Sequence, residues 1–223
     1  MPEELPESHI VPIIRTAKAE PIKQLLGTGF FVGRPGSLQI LTAKHVIESN
    51  PLQPGEGYAV AFGEKSGIRI RSIDGYQASS KYDFAFINGE GFPEASPLPI
   101  VEGIAPLNVD VVTNEYSTTR IERLPDGRAH VSIEPLLHKG NVMTYYVSNF
   151  PETVPTPSLL TSFPALQGAS GAPVILSHNF AVIGILMANF ERHLLPAQVV
   201  RVSSSDAASA AGGTRTCQLG IRS

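Results

Sequence analysis

Gln167-Gly168-Ala169-Ser170-Gly171-Ala172-Pro173-Val174 places a serine between two glycines and then leads through a proline into an apolar run. Gly168 has no Cβ, so its backbone can approach a substrate closely, and Pro173 fixes φ where the chain leaves the loop for a strand. This pattern is typical of a nucleophile loop. A serine is unreactive near neutral pH, so it needs a base within hydrogen-bond reach, a group that orients the base, and donors for the oxyanion.

Two upstream stretches offer the base and the orienting group. Leu41-Thr42-Ala43-Lys44-His45-Val46 ends an apolar run with a histidine, and Tyr82-Asp83-Phe84-Ala85-Phe86 begins another with an aspartate. Taken alone, such a histidine is more often a strand-end or core residue, and such an aspartate is more often a turn residue. Beside a serine that needs both groups, His45 and Asp83 are nevertheless candidates for the base and for the group that orients it.

The motifs TAxH, DxAx and GxSGxP around these residues resemble those of the chymotrypsin-like (trypsin-fold) serine peptidases, over about residues 21–202. The resemblance implies an all-β fold of two six-stranded antiparallel β-barrels packed against each other, with the active site in the cleft between them. It implies a serine endopeptidase with the triad His45, Asp83 and Ser170, which acts through an acyl-enzyme and needs no cofactor. The backbone N–H groups of Gly168 and Ser170 would form its oxyanion hole.

The loop before the nucleophile departs from one part of this family. Members that are activated by a newly cut N-terminus carry an aspartate directly before the serine, and its ion pair with the new amine shapes the oxyanion loop. This chain has Ala169, so no such ion pair can form. We therefore expect the loop to be preformed, or to be set by another contact or by an activating or restraining protein partner. In this respect the chain is closer to the bacterial HtrA-like branch.

The residues expected around the substrate side chain also differ from those of trypsin. Pro164 stands where trypsin-like members place an aspartate for a basic side chain, so a basic preference is not expected. Met187 replaces the family's usual serine, which helps to hold the catalytic aspartate. The substrate-binding residues that the resemblance implies are Ala165, Met187, Ala188 and Asn189. A pocket with these walls favours a modest apolar side chain.

Composition and charge narrow the class of protein. The chain has 223 residues with 20 Gly and 19 Pro, well above the roughly 12% that these two residues usually reach together. Such a composition is typical of many short strands joined by tight turns. The net charge of −3 and the pI near 6.1 provide no basic surface. Nucleic acid is therefore not an expected partner, whereas the resemblance implies a polypeptide substrate.

Cys217 is the only cysteine, which excludes an intrachain disulfide. Val46 and Leu166 occupy positions where secreted members of the family carry cysteines, and this favours a reducing compartment or a lineage without disulfides. Residues 1–6 are acidic and contain proline, unlike a signal peptide, and no apolar run approaches the ~18 residues of a spanning helix. We expect a cytoplasmic protein that has no membrane partner.

Alternation and turn residues divide the chain into an N-terminal arm (1–20), a first barrel (21–100), a linker (101–108), a second barrel (109–202) and a tail (203–223). The first set of strands is expected at residues 10–15, 25–32, 38–42, 58–62, 67–73 and 84–87. The first of these contains a proline, which predicts an edge strand. The second set is expected at residues 109–113, 129–137, 142–147, 173–176, 180–187 and 198–202. Gly27-Thr28-Gly29 suits close backbone packing, as does the family's GxGF.

Two alternatives compete with the peptidase hypothesis. An α/β-hydrolase is disfavoured because its G-x-S-x-G pattern fails at Ala172 and its histidine should follow the serine. The other alternative is a catalytically silent or partner-activated module that uses the two barrels as a peptide-binding or scaffold protein. Ala169 and Met187 weakly favour this module, and the intact triad opposes it. The other histidines have no repeated ligand spacing, so no metal site is expected at His9, His130, His138, His178 or His193.

Overall fold

The computed structural model describes residues 9–18, 20–34, 36–64, 67–89, 95–125, 129–148 and 156–187. The strands in these ranges are β1 (Ile10–Ala17), β2 (Glu20–Arg34), β3 (Ser37–Thr42), β4 (Glu56–Glu64), β5 (Gly67–Ser72), β6 (Tyr76–Ala78), β7 (Ala85–Asn88), β8 (Asp110–Glu115), β9 (Arg120–Arg123), β10 (Ala129–Ser132), β11 (Leu136–Ser148), β12 (Thr156–Thr161), β13 (Pro173–Leu176) and β14 (Val182–Ile185). The predicted strand at 198–202 and the tail at 203–223 lie outside the described residues.

The first seven strands form one antiparallel sheet in the order β5-β4-β1-β2-β3-β7-β6. β1 lies inside this sheet, between β4 and β2, so the prediction of an edge strand at residues 10–15 was wrong. The sheet begins at Ile10, and the start of the first barrel at residue 21 stays a prediction. β6 is a short strand that the sequence did not predict.

The register explains why a proline is tolerated inside the sheet. Pro12 lies opposite Thr28 of β2, whose N–H points away from β1 and donates to Ser170. The two residues therefore form a non-hydrogen-bonded pair. On the other side, β1 pairs with β4 only from Ile13 onward, so the missing N–H of Pro12 removes no bond of the ladder.

The second sheet has the order β12-β11-β8-β13-β14, and β9 and β10 form a separate hairpin. The sequence missed β9 and β12. The stretch Arg120-Ile121-Glu122-Arg123 in β9 has a single apolar residue, so it lacks the alternation that predicts a strand. The strand predicted at residues 129–137 is divided between β10 and β11, and the one predicted at 180–187 shortens to β14.

Central strands are apolar on both faces because each face contacts a different core. In β2, Phe31 packs in the core of the first sheet, whereas the adjacent Phe30 packs in a core that both sheets share. β13 repeats the arrangement, with Val174 in the core of the second sheet and Ile175 in the shared core. Successive side chains of a strand point to opposite faces, so one apolar run can serve two cores. The shared core holds the two sheets together.

The hairpin of β9 and β10 packs on the first sheet. Its residues Ile121 and Val131 contact a cluster of apolar side chains that includes the fully buried Ile14. At the rim, Arg123 pairs with Glu20 of β2 at 2.8 Å. That pair is exposed to solvent, so the apolar contacts contribute most of the attachment.

The connection between the sheets begins inside the molecule. Leu98 is buried in the shared core and donates its N–H to the carbonyl of Phe31 at 2.8 Å. Val101 donates to the carbonyl of Val182 in β14 at 3.0 Å. The division of the chain into two barrels at residues 101–108 stays a prediction.

Helix α1 (Lys44–Glu48) begins two residues after β3 ends. Val46 and Ile47 are its buried residues, and they anchor it in the core of the first sheet. His45 lies in the first turn of α1, so its backbone is fixed between the end of β3 and the buried Val46. Nowhere in the described ranges is there a helix with the length and hydrophobicity needed to cross a membrane.

Candidate active site

Asp83 holds His45 at two points. The backbone N–H of His45 donates to Oδ1 of Asp83 at 2.9 Å, and the ring Nδ1 lies 2.6 Å from Oδ2. The sheet register explains the meeting, because Thr42 at the end of β3 pairs with Ala85 at the start of β7. Asp83 is 3% exposed, whereas the imidazole is 28% exposed, so one edge of the ring faces outward.

The environment of Asp83 favours its charged form. Burial acts to raise the pKa of the carboxyl, but the hydrogen bond and charge of the His45 ring, the His45 backbone N–H and the Lys44 ammonium outweigh it, so the pKa lies below its ordinary value. The carboxylate is therefore ionised at neutral pH and accepts a hydrogen bond from the N–H at Nδ1 of His45. This assignment of the tautomer leaves Nε2 available as an acceptor for a third group.

Ser170 lies in a turn before β13, where the second sheet meets the first. Its carbonyl accepts a hydrogen bond from the N–H of Thr28 at 2.8 Å, at a point of β2 that lies beyond the end of β3. Its hydroxyl donates to the carbonyl of Met187 at 3.3 Å. Among the described residues, this hydroxyl makes no hydrogen bond to His45.

Gly27 lies between the nucleophile loop and α1. A Cβ at this position would be 2.7 Å from the carbonyl oxygen of Ser170 and 2.7 Å from a methyl group of Val46, the neighbour of His45. The backbone of Ser170 and the side chain of Val46 therefore both pack against Gly27, where no larger residue fits. The close backbone packing predicted for Gly27-Thr28-Gly29 is confirmed.

Alternate N–H groups of the nucleophile loop are used in hydrogen bonds. The N–H groups of Ala169 and Gly171 donate to backbone carbonyls at 3.0 Å and 2.7 Å. Those of Gly168 and Ser170 donate to no acceptor in the part of the chain that the structure describes. Two unpaired N–H groups at these positions are what an oxyanion hole requires.

Two glycines allow this course of the backbone. Gly168 has φ +97° and Gly171 has φ +89°, both in the region that side chains disfavour. A Cβ on Gly171 would also overlap the carbonyl oxygen of Thr28 and the hydroxyl of Thr42. The loop can therefore lie against the first sheet only with glycine at this position.

Two of the four predicted substrate-binding residues lie in the described part of the chain. Ala165 is 9% exposed and packs in the core of the second sheet, near Phe163. Met187 is next to the nucleophile, because its carbonyl accepts the hydroxyl of Ser170. Ala188 and Asn189 lie outside the described residues. The backbone N–H and the ring of His45 both bond to Asp83. The carboxylate is therefore held in place even though Met187 replaces the family's serine.

The sequence did not single out Thr28 as a residue of the site. Its N–H donates to Ser170, its hydroxyl donates to the carbonyl of Gly168 at 3.0 Å, and that hydroxyl accepts the N–H of Tyr116 at 3.2 Å. Its carbonyl accepts the hydroxyl of Thr42 at 2.8 Å. The one available signal was a polar residue between two glycines in the apolar stretch Leu25–Val32 of β2.

The sequence matches the model of the trypsin-like peptidase domain over residues 27–185. The chain belongs to this family. The match covers all three candidate catalytic residues. A comparison with curated proteins finds no match.

Solved structures share the fold of this peptidase domain. Deg5 is 18% identical, with a TM-score of 0.58 over 82% of this chain and 80% of its own. The Rv3671c protease of M. tuberculosis H37Rv, in an inactive form, is 18% identical, with a TM-score of 0.54 over 81% and 77%. Human heparin binding protein is 11% identical, with a TM-score of 0.54 over 85% and 84%. At these identities the likeness shows the fold alone.

The prediction of an all-β, chymotrypsin-like fold is confirmed, and the family is that of the trypsin-like peptidase domain. The closer relation to the HtrA-like branch stays a prediction. Family membership supports a protease, and a protease fold implies polypeptide substrates.

Proposed function

We propose that the protein is a serine endopeptidase in which Ser170 is the nucleophile, His45 the general base and Asp83 the group that orients the base. The observation that carries the proposal is the double contact between Asp83 and His45, beside a serine loop with two unpaired N–H groups.

The proposed reaction begins with a rotation of the Ser170 side chain. Its hydroxyl leaves the carbonyl of Met187 and turns toward Nε2 of His45, which takes the proton as the oxygen attacks a peptide carbonyl carbon. The imidazolium is stabilised by the Asp83 carboxylate and passes its proton to the leaving amine as the C–N bond breaks. Water then attacks the acyl-enzyme by the same steps and releases the acid product and free Ser170.

The negative charge on the substrate oxygen would be held by the N–H groups of Gly168 and Ser170. Loss of one such donor costs about 10²–10³ in turnover in other enzymes. Since both groups have no competing acceptor among the described residues, neither must break a bond when the oxyanion forms.

Covalent labelling tests the proposal. We expect a fluorophosphonate probe to modify the wild-type protein at Ser170, Ser170→Ala to abolish the label, and His45→Ala to reduce it sharply, because the hydroxyl loses its base. Ser177→Ala is the matched control, since Ser177 uses its backbone N–H to bond Asp110 and lies on the far end of β13. Mass spectrometry of the labelled peptide identifies the modified serine. No labelling of the folded wild type would contradict the proposal.

A second part of the proposal concerns the substrate side chain and the location of the protein. We infer a preference for a modest apolar side chain, bounded by Ala165, Met187, Ala188 and Asn189, and a cytoplasmic location consistent with a single cysteine. Profiling a diverse peptide library with wild type and Ser170→Ala side by side measures the preference. Preferred cleavage after lysine or arginine would contradict it.

A peptide-binding module without catalysis is the second candidate. The observation that favours it is the hydroxyl of Ser170, which contacts Met187 and not His45. In that case peptides from the library would bind wild type and Ser170→Ala equally, and neither protein would be labelled or cleave them. Addition of an activating partner that restores labelling would identify a gated enzyme.

A further inference from the structure

We infer that the side-chain hydroxyl of Thr28 is a positioning group for the oxyanion loop, which it holds in the active arrangement in place of the aspartate and amine pair that Ala169 excludes. The inference rests on the proposed function, because it assigns the residue that prepares the proposed oxyanion hole. Thr28 is fully buried in β2, on the first sheet, whereas the loop that it holds belongs to the second.

Thr28 contacts two peptide groups of the loop, one before and one after the backbone nitrogen of Ser170. In the peptide between Gly168 and Ala169, the carbonyl accepts the Thr28 hydroxyl at 3.0 Å and the N–H donates to Leu166 at 3.0 Å. In the peptide between Ser170 and Gly171, the carbonyl accepts the Thr28 N–H at 2.8 Å and the N–H donates to another carbonyl at 2.7 Å. Each of these peptide planes is therefore held at both of its ends.

The unpaired N–H groups follow from these two fixed planes. A peptide plane can rotate only if its hydrogen bonds break, so clamping the planes after Gly168 and after Ser170 restricts the torsions that aim the N–H groups of these two residues. At φ +97°, Gly168 has freedom that other residues lack, so without a clamp its peptide would sample more orientations.

The direction of the Thr28 hydroxyl is itself fixed. A hydroxyl has one hydrogen, and the N–H of Tyr116 donates to its oxygen at 3.2 Å, so the hydrogen is free to point to the carbonyl of Gly168. Tyr116 is held in turn by its neighbours. The carboxylate of Glu115, which is fully buried, accepts the N–H and the hydroxyl of Ser117 and lies 3.0 Å from Nε2 of His138.

The same segment packs directly against the loop. The Cα of Ser117 would lie 3.2 Å from a Cβ on Gly168, so the Glu115 carboxylate braces the backbone that supports the loop from the second sheet. The loop is thus held between Thr28 on one side and residues 115–117 on the other. All of these contacts are made between residues of the two sheets, so we expect the oxyanion loop to be preformed.

Thr28→Val tests the inference, because it keeps the shape and the backbone N–H bond and removes the hydroxyl. We expect kcat to fall by about 10- to 100-fold, approaching the loss of an oxyanion donor, with KM changed by less than about 3-fold. Thr28→Ser keeps the hydroxyl, and we expect it to retain kcat within about 3-fold of wild type. The substrate is the best peptide from the library.

Thr113→Val is the matched control. Thr113 is a fully buried strand threonine whose hydroxyl has no hydrogen-bond partner among the described residues, so its removal costs no bond. We expect wild-type kcat. Urea unfolding of all variants shows whether each is folded under assay conditions, and Thr28→Ala replaces Thr28→Val if the latter is not. Wild-type kcat in the hydroxyl-free variant, or an equal loss in Thr28→Ser, would overturn the inference.

Crystal structures of wild type and Thr28→Val separate this inference from the proposed function. A rotated peptide after Gly168 in the variant supports the positioning role even if the wild type is never labelled and the peptidase proposal fails. An unchanged loop in the variant overturns the positioning role even if the wild type is an active peptidase.

Discussion

The two halves of the candidate site are held by different kinds of contact. On the first sheet, His45 is fixed by a charged side chain, with the Asp83 carboxylate bonded to both its ring and its backbone. On the second sheet, the loop around Ser170 is fixed by peptide groups that bond to β2 and to its own sheet. A substitution in the first half should therefore alter the interaction between His45 and Asp83. A substitution in the second half should alter the backbone conformation of the loop around Ser170.

The largest effect is expected from Gly171→Ala, which breaks the loop half. The new methyl would overlap two oxygen atoms of the first sheet and occupy a disfavoured φ of +89°. We expect the free energy of unfolding to fall by at least about 2 kcal/mol and fluorophosphonate labelling to be lost.

Gly55→Ala separates the two causes. Gly55 has a similar φ of +84° but has no atom within 4 Å of its Cβ position, so this variant carries the backbone cost without the overlap. Urea unfolding should show a smaller loss for Gly55→Ala, with normal labelling. Equal losses in the two variants would mean that the loop shifts to accommodate the methyl group at position 171 with little cost in free energy.

A smaller effect is expected from acid, which acts on the histidine half. Folding lowers the pKa of Asp83, so its ionised form contributes stability that is fully present above the ordinary carboxyl value of 3.8 and is lost as pH falls through the lower value of the folded protein. We therefore expect the free energy of unfolding of wild type to decrease more steeply than that of Asp83→Asn below about pH 4.

Urea unfolding at a series of pH values measures both slopes. Asp110→Asn, which removes an exposed carboxylate, serves as the control and should follow the wild-type curve. Identical slopes for wild type and Asp83→Asn would show that the contact with His45 does not stabilise the charged carboxyl.

The smallest effect is expected from Met187→Ser, which sharpens the comparison by restoring the residue that the family usually has. Asp83 already accepts two hydrogen bonds from His45, and the Met187 backbone carbonyl that Ser170 contacts is unchanged. We expect kcat to stay within about 3-fold of wild type. A gain of about 10-fold or more would show that the histidine half is underconstrained without the serine.

The sequence predicted the histidine half more completely than the loop half for a physical reason. An acid, an imidazole and a hydroxyl are visible as residue types, and their order along the chain pointed to one site. The contacts of the loop are made by peptide groups, which every residue carries. The residue types in the sequence therefore do not predict them. Thr28 escaped notice because its role depends on where β3 ends and the loop arrives, and only the folded chain fixes that.

The same distinction applies to the strands. Apolar alternation predicted most strands of the first sheet and matched β13 at both ends, because burial leaves a pattern in the sequence. It missed β9, whose polar residues face solvent on a hairpin, and it placed β1 at an edge because the proline was visible and the register was not. The strand predicted at 198–202, together with Ala188 and Asn189, lies outside the described residues.

The hairpin at residues 120–132 has a consequence for any attempt to divide the molecule. The hairpin follows the seven strands of the first sheet and the linker in the sequence. Its residues Ile121 and Val131 nevertheless cover apolar side chains of β1, β2 and β4. A fragment ending at the linker would therefore leave Ile14 and its neighbours facing water. The two sheets follow one another in the sequence. The apolar cluster of the first sheet is nevertheless covered only after the hairpin at residues 120–132 has been synthesised.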